Sequence, residues 1–321
     1  MPGPRCSRED DGSPRVSKAT EADVAVGEKR WLWPAFAGPG VIWLVLLFLT
    51  PLYALLAIAM GRLDPIFGDT SPVWNPIQWD PTSFGQVLSD LFTGQLSTIL
   101  LRTFAYVGIA SLLCLLIGYP VAYYLARHAG RFRTLLLVLV VAPFWINYLM
   151  RMLAWQSLLS TDGYVNDILV FLQVFDEPRQ WLVGRHETVI LGLVYGYIPF
   201  LILPLFAALD RMDQRVIEAA RDLGASARQA FFRVTLPLSK QGILAGVVIV
   251  MLPMFGDYYT PDLLSGSPKT RMIGNEINTL ITSGGREAKG AALTVVLMCF
   301  VAILMAYYIV SVAKATREAR R

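Results

Sequence analysis

Two charged residues in apolar surroundings are the first candidates for chemistry in this sequence. Arg151 and Asp257 both lie more than about one helical turn inside a long apolar stretch. A charge at such a depth is costly unless it faces a partner, a cavity or a passing ion, so it is a functional candidate by default. Tyr258 and Tyr259 follow Asp257 directly and could offer aromatic faces to a cation. This pattern favours binding or passage of a cation.

Residues for catalysis or metal binding are sparse. His128 and His186 stand beside loops without a ligand cluster, and the three cysteines show no C-x-x-C spacing. The sequence has no visible pair of catalytic carboxylates, no nucleophile with a neighbouring base and no G-x-x-x-x-G-K-[ST] phosphate loop. It therefore predicts neither a membrane-embedded enzyme nor an ATPase, and we expect the chain to bind no metal and no cofactor.

The composition is typical of an all-α membrane protein. Hydrophobic residues make up 55% of the 321 residues and charged residues 16%. A hydrocarbon layer of about 30 Å takes about 20 helical residues to cross, and lipid offers the backbone no hydrogen-bond partners, so each span must be helical. Six segments qualify, and we predict spans at Phe36–Met60, Thr103–Ala126, Thr134–Leu158, Glu187–Leu209, Gln241–Leu263 and Ala291–Ala313.

The basic residues predict the orientation of these spans. The two terminal tails and the connections after the second and fourth spans hold nineteen Lys and Arg residues, and the other connections hold seven. Basic residues accumulate on the cytoplasmic side, so both termini are predicted to be cytoplasmic. A net charge of +4 distributed in this way does not suggest a nucleic-acid partner. Residues 1–30 are polar and lack apolar periodicity, which predicts a disordered tail before a membrane domain of residues 31–321.

The depth of the two charges suggests that they could meet. Arg151 and Asp257 each lie roughly 17 residues beyond the predicted cytoplasmic start of their span, which places both about 25 Å towards the outer face. We interpret Asp257 as an outer-gate or cation-passage carboxylate with Arg151 as its resting partner. A structural ion pair, or an Arg151 that extends to the interface, is the alternative. Pro253 with Gly256 is the pair that we expect to interrupt the helix beside Asp257.

The connection after the fourth span has the most specific pattern in the chain. Its apolar residues first recur at three- and four-residue spacing, which predicts a short amphipathic helix. Gly224 can adopt the left-handed conformation that ends this helix, and Ser226 with Gln229 forms a capping box for a second helix. Pro237 predicts a break before the fifth span. We therefore expect a compact helix–turn–helix here.

Seven positions of this connection, residues 210–240, agree with a known pattern at fixed spacing. They are Glu218, Ala219, Ala220, Gly224, Val234, Leu236 and Pro237. The pattern resembles the EAA loop of ABC importer permeases, with Val234 where isoleucine is more common. In that family the loop contains the coupling helix, which docks into a groove on the ATP-binding subunit, and the resemblance implies this role here. A helix that lies on the lipid surface is the alternative.

Other segments, between about residue 35 and residue 313, resemble spermidine/putrescine permeases. They are Gly118-Tyr119-Pro120, Ala122-Tyr123, Pro143-Phe144-Trp145 with Asn147, Arg151, Ala154 and Trp155, Asp262-Leu263-Leu264 and Met272-Ile273-Gly274. The resemblance implies a six-helix permease of the bacterial inner membrane that moves putrescine or spermidine inward. We place Trp145 with Arg151, Asp257, Tyr258 and Tyr259 on its pathway. Permeases for iron, thiamine or phosphonate share parts of the pattern, and a secondary transporter would need two related halves.

The resemblance also implies an assembly. Permeases of this kind work with a dimer of ATP-binding subunits, which use ATP and Mg²⁺, and with a second, similar permease chain in the lipid membrane. An extracytoplasmic solute-binding protein delivers the solute. The predicted outer connections hold ten acidic residues against seven basic ones, which leans towards a cationic solute.

Overall fold

The structure is a computed structural model that describes residues 32–63 and 70–318. The predicted tail, residues 1–30, lies outside the described residues. The chain divides into two units, residues 1–53 and residues 54–321. In the described ranges the regular structure is almost entirely helical. The helices are α1 (Leu32–Ala59), α2 (Thr82–Thr93), α3 (Gln95–Arg127), α4 (Arg133–Val141), α5 (Tyr148–Leu158), α6 (Tyr164–Phe171), α7 (His186–Asp210), α8 (Gln214–Asp222), α9 (Ala227–Ala230), α10 (Leu236–Leu238), α11 (Lys240–Phe255), α12 (Tyr259–Leu264), α13 (Ile273–Thr282) and α14 (Glu287–Glu318).

The helices long and apolar enough to cross a membrane lie within α1, α3, α7 and α14. Two bent pairs pass the same test, namely residues 130–145 with α5 and residues 227–238 with α11. Six spans result when each bent pair is counted as one, which agrees with the six spans predicted from the sequence and with an all-α membrane protein. The short strands β1 (Arg62–Leu63) and β2 (Thr70–Ser71) pair antiparallel after α1.

The third span is not the straight helix over 134–158 that we predicted. Helix α4 ends at Val141, a 3₁₀ turn follows, and α5 begins at Tyr148 after an 88° bend. Pro143 lies in the turn, and its ring and missing amide prevent a continuous helix. Asn147 then caps α5 by accepting a hydrogen bond from the Leu149 amide at 2.8 Å.

The fifth span is also shorter than the predicted 241–263. Helix α11 ends at Phe255, Gly256 caps it, and the chain starts again in α12. The expectation that Pro253 and Gly256 interrupt this helix is confirmed. The short helices α2, α6 and α13 fall in connections for which we predicted no helices, and α12 lies at the end of the predicted fifth span. They shorten the irregular stretches between the spans.

The centre of the second unit is a packed group of α3, α7 and α11. Its buried side chains include Cys114, Leu193, Leu205 and Met254. A Cβ placed on Gly242 of α11 would lie 2.4 Å from the Ala208 Cβ of α7, so these two helices approach closely through small residues. Lipid tails are as apolar as leucine, and close backbone approach of this kind is what holds membrane helices together.

Candidate transport and coupling sites

Asp257 lies in the non-helical break between α11 and α12 and is 5% exposed. The break is held by α13. Gly274 at its start leaves no room for a side chain, because a Cβ there would lie 2.7 Å from the Gly256 carbonyl oxygen. Asn275 donates from its amide to the Tyr258 carbonyl oxygen at 2.7 Å and to the Asp262 carboxylate at 2.8 Å. The backbone that carries this buried charge is thus fixed by two neighbouring residues of α13, Gly274 and Asn275.

The carboxylate of Asp257 is surrounded by hydroxyl groups. Oδ2 accepts hydrogen bonds from the Tyr148 hydroxyl at 2.7 Å, the Thr260 hydroxyl at 2.6 Å and the Tyr197 hydroxyl at 3.3 Å. Among the described residues, Oδ1 accepts a single bond, from the Thr260 amide at 3.1 Å. Three donors crowd Oδ2, whereas Oδ1, with two lone pairs, has room for one more donor in the described structure. Asp257 is therefore a fixed acceptor whose less crowded oxygen is Oδ1.

Arg151 is not ion-paired with Asp257, contrary to the resting pair that we proposed from their depth. Among the described residues, its guanidinium contacts aromatic rings instead, with its central carbon 4.0 Å from the ring centre of Phe144, 5.4 Å from Tyr148 and 5.8 Å from Tyr195. Its Nε and Nη1 are buried without a hydrogen-bond partner there. Phe144 lies on the turn before α5, so the cation spans the bend. Tyr148 is the residue that contacts both charges.

The other predicted pathway residues are Tyr258, Tyr259 and Trp145, and they differ in their relation to Asp257. The rings of Tyr258 and Tyr259 contact each other, with ring centres 4.1 Å apart and ring planes tilted by 31°. Trp145 ends the turn before α5 and is 79% exposed. Within the part of the chain that the structure describes, no hydrogen bond or ring contact joins Trp145 to Asp257. The structure therefore groups the two tyrosines with Asp257 and leaves Trp145 apart.

Sequence reasoning missed three residues of this site, namely Tyr148, Tyr197 and Thr260. Tyr148 precedes Arg151 by three residues and Thr260 follows Asp257 by three, and this helical spacing could have indicated both. Tyr197 comes from α7 and has no signal in its neighbourhood beyond Gly196. A Cβ on Gly196 would lie 2.7 Å from the Tyr148 ring, so this glycine lets the two tyrosines reach the same carboxylate.

The predicted helix–turn–helix is present, and we name residues 213–238 the coupling segment. Asp213 caps α8 by accepting a bond from the Arg215 amide at 3.0 Å, and Gly224 has a φ of +89° after the helix end. Ser226 and Gln229 form both bonds of the capping box that opens α9. The turn at Gly224 and the capping box were predicted from the sequence and are confirmed, whereas the Asp213 cap was not predicted.

Along α8, Glu218 and Ala219 are exposed and Ala220 is half-buried. Leu223 directly after the helix is 89% exposed. One face of this helix is thus uncovered, with a charge, small residues and one large apolar side chain.

The second half of the coupling segment ends slightly later than predicted. A π-helical turn, Phe231–Thr235, follows α9 and leads into α10. Leu236 is half-buried and Pro237 is exposed inside α10, so the break comes at Ser239, two residues after the proline. The axis then bends by 61° into α11. The segment is a folded unit joined to the fifth span at a bend.

Residues 115–315 match the family of binding-protein-dependent transport system inner membrane components. The chain belongs to this family, whose members are the membrane permeases of ABC transporters. It is therefore a multi-pass inner-membrane permease and not an enzyme, and ATP hydrolysis is the task of a separate subunit.

Curated relatives are more specific. The spermidine/putrescine transport system permease protein PotB of Haemophilus influenzae is 39% identical over 220 residues, which cover 68% of this chain and 76% of the relative. PotB of Escherichia coli is 40% identical over 210 residues, with 65% and 76% covered. The E. coli inner membrane ABC transporter permease protein YdcU is 31% identical over 220 residues, with 65% and 70% covered.

Solved structures agree with the fold. A chain of a bacterial alginate ABC transporter, in complex with an alginate pentasaccharide-bound periplasmic protein, superposes with a TM-score of 0.65 at 18% identity. The match covers 87% of this chain and 92% of that one. At this identity the likeness shows the architecture of an ABC transporter permease and nothing about the solute.

Proposed function

We propose that this chain is the permease subunit of an ATP-driven importer that carries polyamines, such as putrescine and spermidine, into the cell. The observation that carries the proposal is the buried Asp257 at the break between α11 and α12, whose Oδ1 accepts a single bond among the described residues and which is followed by two tyrosines with contacting rings. The similarity to PotB proteins supports the same solute class.

The chemistry of the site suits an alkylammonium ion. A primary ammonium carries three donors and no acceptor, so oxygen acceptors such as a carboxylate suit it. The hydroxyls of Tyr148 and Tyr197 hold the carboxylate in place without neutralising it, and aromatic faces attract a desolvated cation. In this proposal the ammonium groups of a polyamine bind Oδ1 of Asp257 one after another as the polyamine moves through the permease.

The coupling segment supports docking on an ATP-binding subunit. Helix α8 is fixed by its own caps and presents Glu218, Ala219 and Leu223 to the surroundings. Small alanines allow a close helix contact, and Glu218 offers a charge to a basic groove. A helix resting on lipid would need no turn with positive φ and no capped second helix. The coupling segment and both termini then face the cytoplasm, which agrees with the basic residues near them.

The proposed complex has four kinds of partner around this chain. They are a dimer of ATP-binding subunits, a second and similar permease, an extracytoplasmic solute-binding protein and the lipid membrane. ATP and Mg²⁺ bind to the ATP-binding subunits and no cofactor binds to this chain. The alginate ABC transporter structure includes an alginate-bound periplasmic protein, which supports a similar arrangement here.

The proposal is tested by uptake of labelled putrescine and spermidine in cells that lack the gene and in cells that carry it on a plasmid. We expect saturable uptake only in the complemented cells, and competition by unlabelled polyamines. Iron, thiamine and a phosphonate serve as unlabelled competitors for the alternative solutes. Equal polyamine uptake with and without the gene, or competition by one of these three alone, would refute the polyamine assignment and leave the permease class standing.

A further inference from the structure

Helix α3 contacts the coupling segment at its beginning. Arg127, the last residue of α3, donates from Nη2 to the carbonyl oxygen of Met212 at 2.9 Å, and Met212 directly precedes the cap of α8. The neighbouring Arg133 of α4 forms an ion pair with Asp210 at 2.6 Å. The start of the coupling segment is thus attached to the α3–α4 turn by a main-chain hydrogen bond and an ion pair.

The same helix contacts the coupling segment at its other end. The Tyr119 hydroxyl lies 3.0 Å from the hydroxyl of Ser239, at the bend between α10 and α11, and both residues are buried. Phe231 meets Tyr119 edge to face with ring centres 5.6 Å apart, and meets Tyr123 in the same way at 5.7 Å. One face of α3 therefore bonds to the residues that flank both ends of the coupling segment, Met212 and Ser239, while most of the segment is exposed.

The opposite end of α3 contacts the backbone beside Asp257. Thr103 accepts a hydrogen bond from the Ile273 amide at 2.9 Å, and Arg102 donates to the Arg271 carbonyl oxygen at 3.3 Å. Ile273 is followed by Gly274, whose backbone packs on Gly256 and Asp257. Thr103 and Tyr119 are about 24 Å apart along the helix axis. A single helix thus bonds to both candidate sites.

We propose that α3 is the element that transmits movement of the coupling segment to the break at Asp257. The inference rests on the proposed docking of α8 and goes beyond it, because it assigns a path inside the permease. When the ATP-binding subunit displaces α8, Arg127 and Tyr119 carry the displacement to α3, and Thr103 carries it to Ile273 and Gly274. A continuous helix bonded to both regions is a physical basis for coupling over this distance.

The test uses the reconstituted complex of permeases, ATP-binding subunits and binding protein in proteoliposomes, and measures polyamine uptake per ATP hydrolysed. Arg127→Met removes the donor to Met212, and Tyr119→Phe removes the bond to Ser239 while keeping the ring. Each should lower uptake per ATP by about fivefold or more, with the complex assembled and hydrolysis still stimulated. A purely structural role would lower the amount of complex and leave this ratio unchanged.

Two matched controls lie in the last turns of α3 and in the α3–α4 turn, and neither side chain makes one of the contacts to the coupling segment described above. Arg131 is exposed and contacts Phe132, and the ring of Tyr124 stacks on His128. Arg131→Met and Tyr124→Phe should keep the unmodified ratio.

Thr103→Val tests the far end. It should lower the ratio by itself, and combined with Tyr119→Phe it should add little, since both changes interrupt one path.

Two results would overturn the proposal. The first is that both Arg127→Met and Tyr119→Phe keep the unmodified ratio of uptake to hydrolysis. The second is that the double variant Tyr119→Phe/Thr103→Val lowers this ratio by the product of the two single fold-changes. Failure of the underlying docking assignment has a different signature. In that case substitutions on α8 itself, at Glu218 and Gly224, would leave the ATP-binding subunit bound and its hydrolysis stimulated.

Discussion

The Asp257 site and the coupling segment are built in opposite ways. Asp257 is buried and is held by side chains from distant parts of the chain, Tyr148 on α5 and Tyr197 on α7. The coupling segment is exposed, and its caps join residues two or three positions apart. A site held from several helices responds to the arrangement of the bundle, whereas a locally capped segment keeps its own shape while it moves. This difference suits one region to sensing a solute and the other to docking.

The largest effect is expected at the buried carboxylate. Asp257→Asn keeps an acceptor for Tyr148 and Thr260 but removes the negative charge, so uptake should fall by about tenfold or more, which corresponds to about 1.4 kcal/mol of lost stabilisation. Assembly with the ATP-binding subunit should be unchanged. Labelled uptake normalised to purified complex is the measurement. Asp167→Asn is the matched control, because Asp167 is exposed on α6 and makes none of the contacts described at the Asp257 site. Equal loss in both variants would show that Asp257 has no special role.

A substitution that strains the backbone at Gly224 tests the coupling segment separately from the Asp257 site. At Gly224, φ is +89°, and valine in this region costs about 1–3 kcal/mol of strain, so Gly224→Val should displace α9 relative to α8. We expect loss of the ATP-binding subunit or of stimulated hydrolysis, with binding-protein association retained.

Gly285 provides the control for backbone strain. Its φ is +79°, and it lies between α13 and α14. Gly285→Val should lower thermal stability to a similar extent and leave the ATP-binding subunit bound. If Gly285→Val releases that subunit as well, the effect of Gly224→Val reflects general strain.

A smaller effect is expected from reversing one exposed charge on α8. Glu218→Lys replaces an attractive docking charge with a repulsive one, so affinity for the ATP-binding subunit should fall severalfold. Raising the salt concentration should narrow the gap to the unmodified protein, because exposed charges are screened within about 10 Å at 0.1 M salt. Affinity measured at two salt concentrations checks this, with Glu218→Gln as an intermediate. A salt-independent loss would point to misfolding of α8.

The smallest effect is expected at Arg151. Because no ion pair joins it to Asp257, Arg151→Met leaves no newly unpaired carboxylate, and the lost cation–π contacts are partly offset by removal of two buried donors without partners. Thermal stability should change by less than about 1 kcal/mol. The double variant with Asp257→Asn should be additive within about 0.5 kcal/mol. Recovery of stability in the double variant would show that the two charges do pair in the working complex.

The contrast between the two regions also explains what the sequence could predict. Gly224 and the pair Ser226–Gln229 act on backbone within a few residues of themselves, so their spacing was sufficient to predict the turn and the capping box. Pro253 and Gly256 predicted the break at Asp257 for the same reason.

The partners of Asp257 were not predictable in this way. Tyr197 is 60 residues distant in sequence and Tyr148 is 109, and contact between them depends on how α5 and α7 pack. Depth along a span placed Arg151 and Asp257 at one level but could not give the direction in which Arg151 points. Pro143 lies inside the predicted third span, but its sequence context did not reveal a bend of 88°.

The π-helical turn at Phe231–Thr235 has a consequence for how the docking helix is oriented. A π-turn contains one residue more than the α-helical turn that it replaces. Removal of one residue there would leave an ordinary α-helical turn over about the same angle, so the face of α9 relative to α11 would be kept. Removal of one residue from α9, which has no extra residue to lose, would instead rotate everything before it by about 100° around the helix axis, since an α-helix has 3.6 residues per turn. The π-turn is thus the place in the coupling segment where a one-residue deletion would leave the docking face directed at its partner.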